Sequence, residues 1–312
     1  MIYENGYKTK IGSHCLLTCI NNYLNYKNIE IDETALFLKV KGYNIKKCND
    51  GKIRYSVTLY DHMNEVGVPY EFFRESSRET AWKKLRELIM DEKLVILFLN
   101  ASRLKYNSAF KYADDIGHCL NAIGFDDQDR VYVSDGYIAG FKGVAFEDWI
   151  EAEPLLNAWE DAGFSYVLLN LDGIEKKDFL ITEQMIVDCA VELQKNNLAV
   201  EEEILTSIDS LKKYTDKKEL ELKVLEINKH IRVDGLIFTR SYMAKAIEDY
   251  VQDKQLSVEY SNLCKEWNII SCILIKLVFD NSAERIDEIR DKIRAVFAKE
   301  NEIMNSIANK SK

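Results

Sequence analysis

A cysteine near the start of the chain, with a histidine and an aspartate far downstream, supplies the residue types from which covalent acyl chemistry is assembled. The cysteine lies in Ile11-Gly-Ser-His-Cys15-Leu-Leu-Thr-Cys19-Ile-Asn-Asn-Tyr-Leu24. Gly12 and Ser13 supply turn and N-cap chemistry, and Leu16, Cys19, Ile20, Tyr23 and Leu24 recur at helical spacing, so the stretch predicts a helix with an apolar face. Cys15 then falls in the first turn. Unpaired backbone N–H groups and the positive end of the helix dipole favour a thiolate there, the form a nucleophilic cysteine needs. Against this, cysteine is among the residue types most often buried, and Cys15 on its own reads more readily as core.

The partners lie in Ile116-Gly-His118-Cys119-Leu-Asn-Ala-Ile-Gly124-Phe-Asp126-Asp-Gln-Asp-Arg130-Val-Tyr-Val-Ser-Asp135-Gly-Tyr137. Apolar runs flank the polar turn at 126–129, the pattern of a β-hairpin. His118 opens the first strand and Asp135 closes the second, so antiparallel pairing brings both side chains to the same end of the sheet. The imidazole would take the thiol proton, while the carboxylate fixes the ring's tautomer and stabilises the imidazolium. A lone histidine is usually a satisfied polar residue, and Asp-Gly is a common turn pair. Joined in this order and context, Cys15, His118 and Asp135 become the candidate catalytic set. A zinc site built from His14-Cys15 and His118-Cys119 is the rival, weakened because neighbouring strand side chains diverge and recognised zinc spacings are absent.

A sheet and its flanking helices must hold these residues. Residues 32–40, 56–66 and 79–90 read as helices and 68–73 as a strand. Leu94-Val-Ile-Leu-Phe-Leu99 is the most continuous apolar run and predicts a central strand buried on both faces. Residues 146–151 read as a short helix, and 164–171 as a last strand that closes the sheet. Asp172-Gly173 marks a boundary. From Thr182 the pattern is helix after helix, with breaks near 196–197, 207–210, 230–235, 254–257 and 280–281. The last helix, from Ser282, carries Ile286, Ile289, Ile293 and Val296 on one face. The fold class is therefore α+β: an antiparallel-sheet domain over 1–173 and an all-α domain over 174–312.

Composition bounds the function. A chain of 312 residues, 47% hydrophobic and 30% charged, is long enough for two cores. A formal charge of −10 argues against a nucleic-acid partner. With no apolar run near the roughly 18 residues of a membrane span, and no signal-type hydrophobic N-terminus, the expected location is cytoplasmic. Seven cysteines without metal-type Cys-x-x-Cys spacing suit free thiols in a reducing compartment. Cys19 and Cys119 are expected in the core, Cys119 on the strand face opposite His118.

His14-Cys15, Gly117-His118, Gly124-Phe125-Asp126 and Asp135 resemble the papain-like fold, and within it the C39-like peptidases and the acyltransferase type of butirosin biosynthesis. The resemblance covers the first domain only. It implies a papain-like cysteine-peptidase domain in which the cysteine attacks an acyl group. A glutamine six residues before the cysteine usually donates to the oxyanion in that fold, and Thr9 stands at that position here. The oxyanion would then rely on the Cys15 backbone N–H with Thr9 or Ser13. The His-Cys pair is that of the acyltransferase branch. It implies transfer of an acyl or peptidyl group from a carrier-protein thioester through Cys15 to an amine, diamines included, in nonribosomal antibiotic assembly. A cysteine peptidase or thioesterase, or a catalytically silent binding protein, are the alternatives. No resident cofactor is implied, and phosphopantetheine would arrive only as the arm of the acyl carrier protein.

The surroundings follow from this reading. Tyr3, Tyr7, Lys8 and Lys10 lead into the nucleophile helix, and Tyr7 and Tyr137 are candidates for lining the substrate cleft. Residues 100–117 are long for a connection and would form a lid, where Asp114 and Asp115 draw in a cationic amine unless they are simply solvated carboxylates. Residues 39–54 carry six basic residues against one acid, a local inversion in an acidic chain. Lys46, Lys47, Lys52 and Arg54 would dock an acidic carrier protein, or belong to a solvated loop. The helical domain would shape an acceptor pocket, mediate a homodimer, or serve as a stabilising bundle.

Overall fold

The computed structural model of the chain describes residues 2–3, 6–46, 56–57, 63, 68–107, 117–138, 144–232, 235–280 and 282–309. In chain order its elements begin β1 (Ile2–Tyr3), α1 (Cys15–Tyr26), α2 (Glu33–Lys39), β2 (Ile45–Lys46), β3 (Ser56–Val57) and β4 (Tyr70–Arg74). There follow α3 (Arg78–Met90), β5 (Val95–Asn100), β6 (Gly117–Phe125), β7 (Arg130–Asp135), β8 (Phe146–Glu151), α4 (Ala152–Asp161) and β9 (Ser165–Leu169). The later described elements are helical: α5 (Glu183–Ser210), α6 (Lys217–Arg232), α7 (Leu236–Ala246), α8 (Lys254–Asp280) and α9 (Ala283–Ala308), with short 3₁₀ and π turns between. The chain divides into two compact units, Met1–Leu36 with Met63–Phe179, and Phe37–His62 with Leu180–Lys312.

In the first unit an antiparallel sheet runs β4-β9-β5-β6-β7-β8, with β1 added to β6. The unbroken apolar run of β5 requires an interior place, and β5 lies between β9 and β6 with Val95, Ile96, Leu97 and Leu99 buried. Burying each such side chain contributes about 1.5–3 kcal/mol. β9, expected to close the sheet, instead inserts between β4 and β5. Ser77 and Thr80 form a capping box at the start of α3, and Ala81, Leu85, Leu88 and Ile89 give it one buried stripe. That stripe joins Leu155 and Trp159 of α4 in a core with Leu120 and Ala122 of β6 and Val131 and Val133 of β7. Alternation then turns Cys119 and Asn121 of β6 to the other face, where Asn121 donates to the Cys19 carbonyl of α1 at 3.0 Å.

Two local readings are corrected. Residues 146–151 are a strand and not a helix, paired with β7 along its whole length from Arg130↔Glu151 to Asp135↔Phe146. The edge of β7 overrides local preference, and the cross-strand pair Tyr132 and Trp149, 5.1 Å between centroids, adds to the pairing. Ser56 and Val57 likewise pair with β2 as a two-stranded sheet where a helix was expected.

In the second unit, Ile286, Ile289, Ile293 and Val296 of α9 are all buried, as their spacing predicts. α5 runs unbroken through Asn196 and Asn197, where a break was expected. Asn197 is buried and donates to Glu300 and Asn301 at 3.1 Å, so a residue that reads as a helix breaker serves as an interior polar contact. Phe37 stacks on Tyr242 at 4.6 Å, while Tyr43 and Asn44 both donate to Glu192, which is how Phe37–His62 comes to belong to this unit. Among the described residues no helix is long and apolar enough to cross a membrane.

Candidate active site

Cys15 is positioned by the lead-in at 10–14 and by the later residues that hold that lead-in in place. α1 starts at Cys15, and its N-cap is His14, whose Nδ1 accepts from the Leu17 N–H at 3.4 Å. The expected cap, Ser13, has its backbone N–H drawn off to the Glu33 carboxylate at 3.2 Å, and Glu33 also accepts from the Thr18 hydroxyl at 3.1 Å. Upstream, Asn22 of α1 clamps Lys10 through both backbone groups, at 3.0 and 3.1 Å. Gly12 N–H donates to the Gly136 carbonyl at 3.0 Å, tying the lead-in to the residue after Asp135. Both glycines are required by close approach: a Cβ at Gly12 would strike Thr18 and Glu33, and one at Gly136 would strike the Lys10 carbonyl and Thr18.

The β6–β7 hairpin brings in the other two side chains. His118 Nε2 lies 2.6 Å from Asp135 Oδ2, with both residues buried. Asp135 is fully engaged, since Oδ2 also accepts from the Tyr106 hydroxyl at 2.9 Å and Oδ1 from the Tyr137 N–H at 3.0 Å. Half-buried Cys15 is within hydrogen-bonding reach of both Cys119 and the His118 ring. With Nε2 committed to Asp135, Nδ1 is the ring nitrogen left for the sulfur. Cys119 takes the strand face opposite His118, yet it hydrogen-bonds Cys15, so it is a neighbour of Cys15 and not only core.

The electrostatics agree from both sides of the pair. The hydrogen bond from Cys119 holds the Cys15 thiol well below its ordinary range; burial opposes this, and the histidines His14 and His118 reinforce it. The helix N-terminus adds to these, since its unpaired N–H groups favour a thiolate in the first turn. Burial alone would pull His118 down, yet the charge and hydrogen bond of Asp135, then Cys15, push it up to about 10. The arrangement therefore favours thiolate and imidazolium together, and the two titrate as a pair. Alkylation of Cys15 by iodoacetamide, followed peptide by peptide in a mass spectrometer, should persist at pH 6, where a free thiol is only about 0.3% ionised. Cys119→Ala should slow that reaction several-fold at pH 6 and little at pH 9. Equal rates for the two proteins at pH 6 would remove Cys119 from the account.

Other expected residues fare differently. Tyr7 is no cleft residue: it is buried, accepts from Asn121 at 2.6 Å, and burial pushes its hydroxyl up. Thr9 shares a 2.6 Å hydrogen bond with Ser134 and gives its N–H to Glu147, which makes it a tether to β7 and β8 and not a free oxyanion donor. Ser13 is exposed. Tyr137 is half-buried with its ring 6.5 Å from that of His118. Asp114, Asp115, Lys47, Lys52 and Arg54 lie outside the described residues, as does the side chain of Lys46. Two neighbours escaped the sequence reading, Cys119 in this role and Tyr106, which sits in a loop without periodicity. Among the described residues no cluster of three His, Cys, Asp or Glu side chains is arranged to hold a metal ion. A groove of about 350 Å³ in the helical unit, lined in part by Leu263, Glu266, Lys292 and Val296, contains none of these residues.

A nucleophile-type cysteine at a helix start, against a histidine and aspartate on adjacent strands, is the arrangement of cysteine-dependent enzymes. A model of the Peptidase_C39 like family matches residues 3–167, more than half of the chain, and the chain belongs to that family. That membership carries a cysteine peptidase-like fold and cysteine-nucleophile chemistry. No curated protein matches the chain.

Proposed function

We propose that the protein is an amide-forming cysteine acyltransferase, in which Cys15 takes an acyl group from a carrier-protein thioester and passes it to an amine. The observation that carries this reading is the His118–Asp135 contact of 2.6 Å beside the Cys15 thiol, which its hydrogen bond with Cys119 and the neighbouring His118 shift well below its ordinary range. The Cys15 thiolate attacks the thioester carbonyl, and the imidazolium of His118 gives its proton to the departing pantetheine sulfur. The resulting S-acyl cysteine is attacked by an amine that loses its proton to the now neutral His118, and the Cys15 thiolate leaves as the amide forms. Developing charge on the carbonyl oxygen is met by the first N–H groups of α1, that of Cys15 foremost, since the opening N–H groups of a helix have no partner within it. Tyr137 would line the acyl site. The basic run at 39–54 would receive the acidic carrier, and Asp114 and Asp115 the cationic amine.

Thr9 in place of a glutamine donor, and the His14-Cys15 pair, support transfer over proteolysis. The family's own description supports hydrolysis as the second reading. Intact-protein mass spectrometry after incubation with acylated carrier proteins and small acyl thioesters tests both. We expect an acyl adduct on Cys15 that persists in buffer and discharges on adding an amine, because a positioned acceptor can outcompete bulk water by effective molarities of about 10⁵ M or more. Rapid hydrolysis that no diamine or amino sugar diverts would make the enzyme a peptidase or thioesterase. Absence of any adduct across the donor panel would sink both.

A further inference from the structure

We propose that Tyr106 is a positioning residue for the Cys15–His118 pair: its hydroxyl shares Asp135 Oδ2 with His118, fixing the carboxylate and setting how tightly His118 holds its proton. This rests on the reading of Cys15 as nucleophile and His118 as its base. The geometry is specific. Tyr106 donates to Oδ2 at 2.9 Å while His118 Nε2 lies 2.6 Å from the same atom, and the Tyr137 N–H occupies Oδ1 at 3.0 Å. The Tyr106 ring lies flat on Phe146, with centroids 3.9 Å apart and planes within 1°. Phe146 is in turn the cross-strand partner of Asp135 in the β7–β8 register. The stack therefore holds the phenol in a fixed relation to the carboxylate it serves.

A carboxylate oxygen that accepts two hydrogen bonds divides its negative charge between them. Each donor lowers the field the other feels. The Tyr106 hydroxyl thus moderates the pull of Asp135 on the imidazolium, keeping His118 able to release its proton to a leaving group, while the fixed carboxylate keeps Nδ1 turned to the sulfur. Asp135 and Cys15 face His118; Tyr106 and Cys19 also face Asp135; His14 and Cys119 face Cys15. None of these others is altered when the hydroxyl alone is removed.

Tyr106→Phe makes that change and keeps the ring on Phe146. Its effect is read on two titrations: the pH dependence of Cys15 alkylation by iodoacetamide, and the His118 ring signals by NMR, assigned with His118→Gln. Tyr106→Phe should let His118 keep its proton to a pH higher by about half a unit or more, and should leave the acid limb of Cys15 alkylation in place or slightly higher, because His118 is protonated there in both proteins and the bared Asp135 charge opposes the thiolate. Phe146→Leu, which keeps the hydroxyl but loosens the ring, should raise the His118 midpoint by less. A tyrosine that only fills space would lower stability in Tyr106→Phe without moving the His118 midpoint, and an unmoved His118 midpoint overturns the proposal. If wild-type Cys15 itself titrates as an ordinary thiol near pH 8.5, the nucleophile reading fails and the role of Tyr106 falls with it.

Discussion

Replacing Cys15 by alanine should abolish acyl-enzyme formation outright while leaving the protein folded. The side chain is half-buried at the first residue of α1, and the cap, the Glu33 contacts and the Asn22 clamp that hold this turn do not involve its sulfur. On the proposed mechanism His118→Ala removes the base and should slow acylation by about 10⁴ or more, since members of such a set act as a unit. Asp135→Asn should cost less, about 10²–10⁴, and for a different reason. Asp135 accepts three hydrogen bonds, two on Oδ2 and one on Oδ1. An asparagine must place its NH₂ either toward His118 and Tyr106 or toward the Tyr137 N–H. In the first orientation the amide donates to Nε2, forcing the ring proton onto Nδ1, where it blocks the nitrogen that should face the sulfur. The second sets donor against donor at Tyr137. Single-turnover acylation, with circular dichroism as the folding control, measures all three, and acylation of the Cys15→Ala protein at the wild-type rate would sink the assignment.

The contact between His118 and Asp135 is legible in the sequence because both signals are local. A polar turn at 126–129 between apolar runs fixes a hairpin, and the hairpin puts the start of β6 beside the end of β7. The first-turn place of Cys15 is legible for the same reason. What fails is whatever depends on a distant partner. Ser13 has the better capping chemistry, yet α1 starts one residue later than that cap requires, at Cys15, and His14 caps it. Residues 146–151 become a strand because β7 offers an edge, and Asn197 stays inside α5 because Glu300 and Asn301 receive its amide. Tyr106 has no period to betray it, and only the register that brings Phe146 level with Asp135 shows what its ring rests on. Phe37–His62 leaves the unit that flanks it in sequence because Phe37, Tyr43 and Asn44 find partners well over a hundred residues away, at Tyr242 and Glu192.

Glu300→Ala should destabilise the helical unit by about 3–5 kcal/mol, because it strands a buried charge. Arg240 and Glu300 are both fully buried, with Arg240 Nη2 2.8 Å from Glu300 Oε2. The surroundings satisfy most of this pair, with Arg240 Nε the atom left without a hydrogen-bond partner among the described residues. Tyr260 donates to Glu300 Oε1, Asn197 donates to Oε2 at 3.1 Å, and Arg240 donates to Asn197 at 3.1 Å and to Thr239 at 3.0 Å. With the carboxylate gone, the guanidinium keeps only neutral acceptors and the Phe297 face at 6.0 Å, which does not replace a counter-charge in a site without water-facing surface. The loss is therefore mostly the penalty of the orphaned cation and not the worth of the pair. That distinction is measurable: replacing both partners together, Arg240→Met with Glu300→Leu, should recover most of the stability lost in Glu300→Ala, because apolar groups of similar volume need no desolvation offset. Denaturant unfolding of the full chain supplies the comparison. A Glu300→Ala protein within about 1 kcal/mol of wild type would mean that the guanidinium finds another partner or water, and a double variant worse than the single would mean that the ion pair itself contributes net stability.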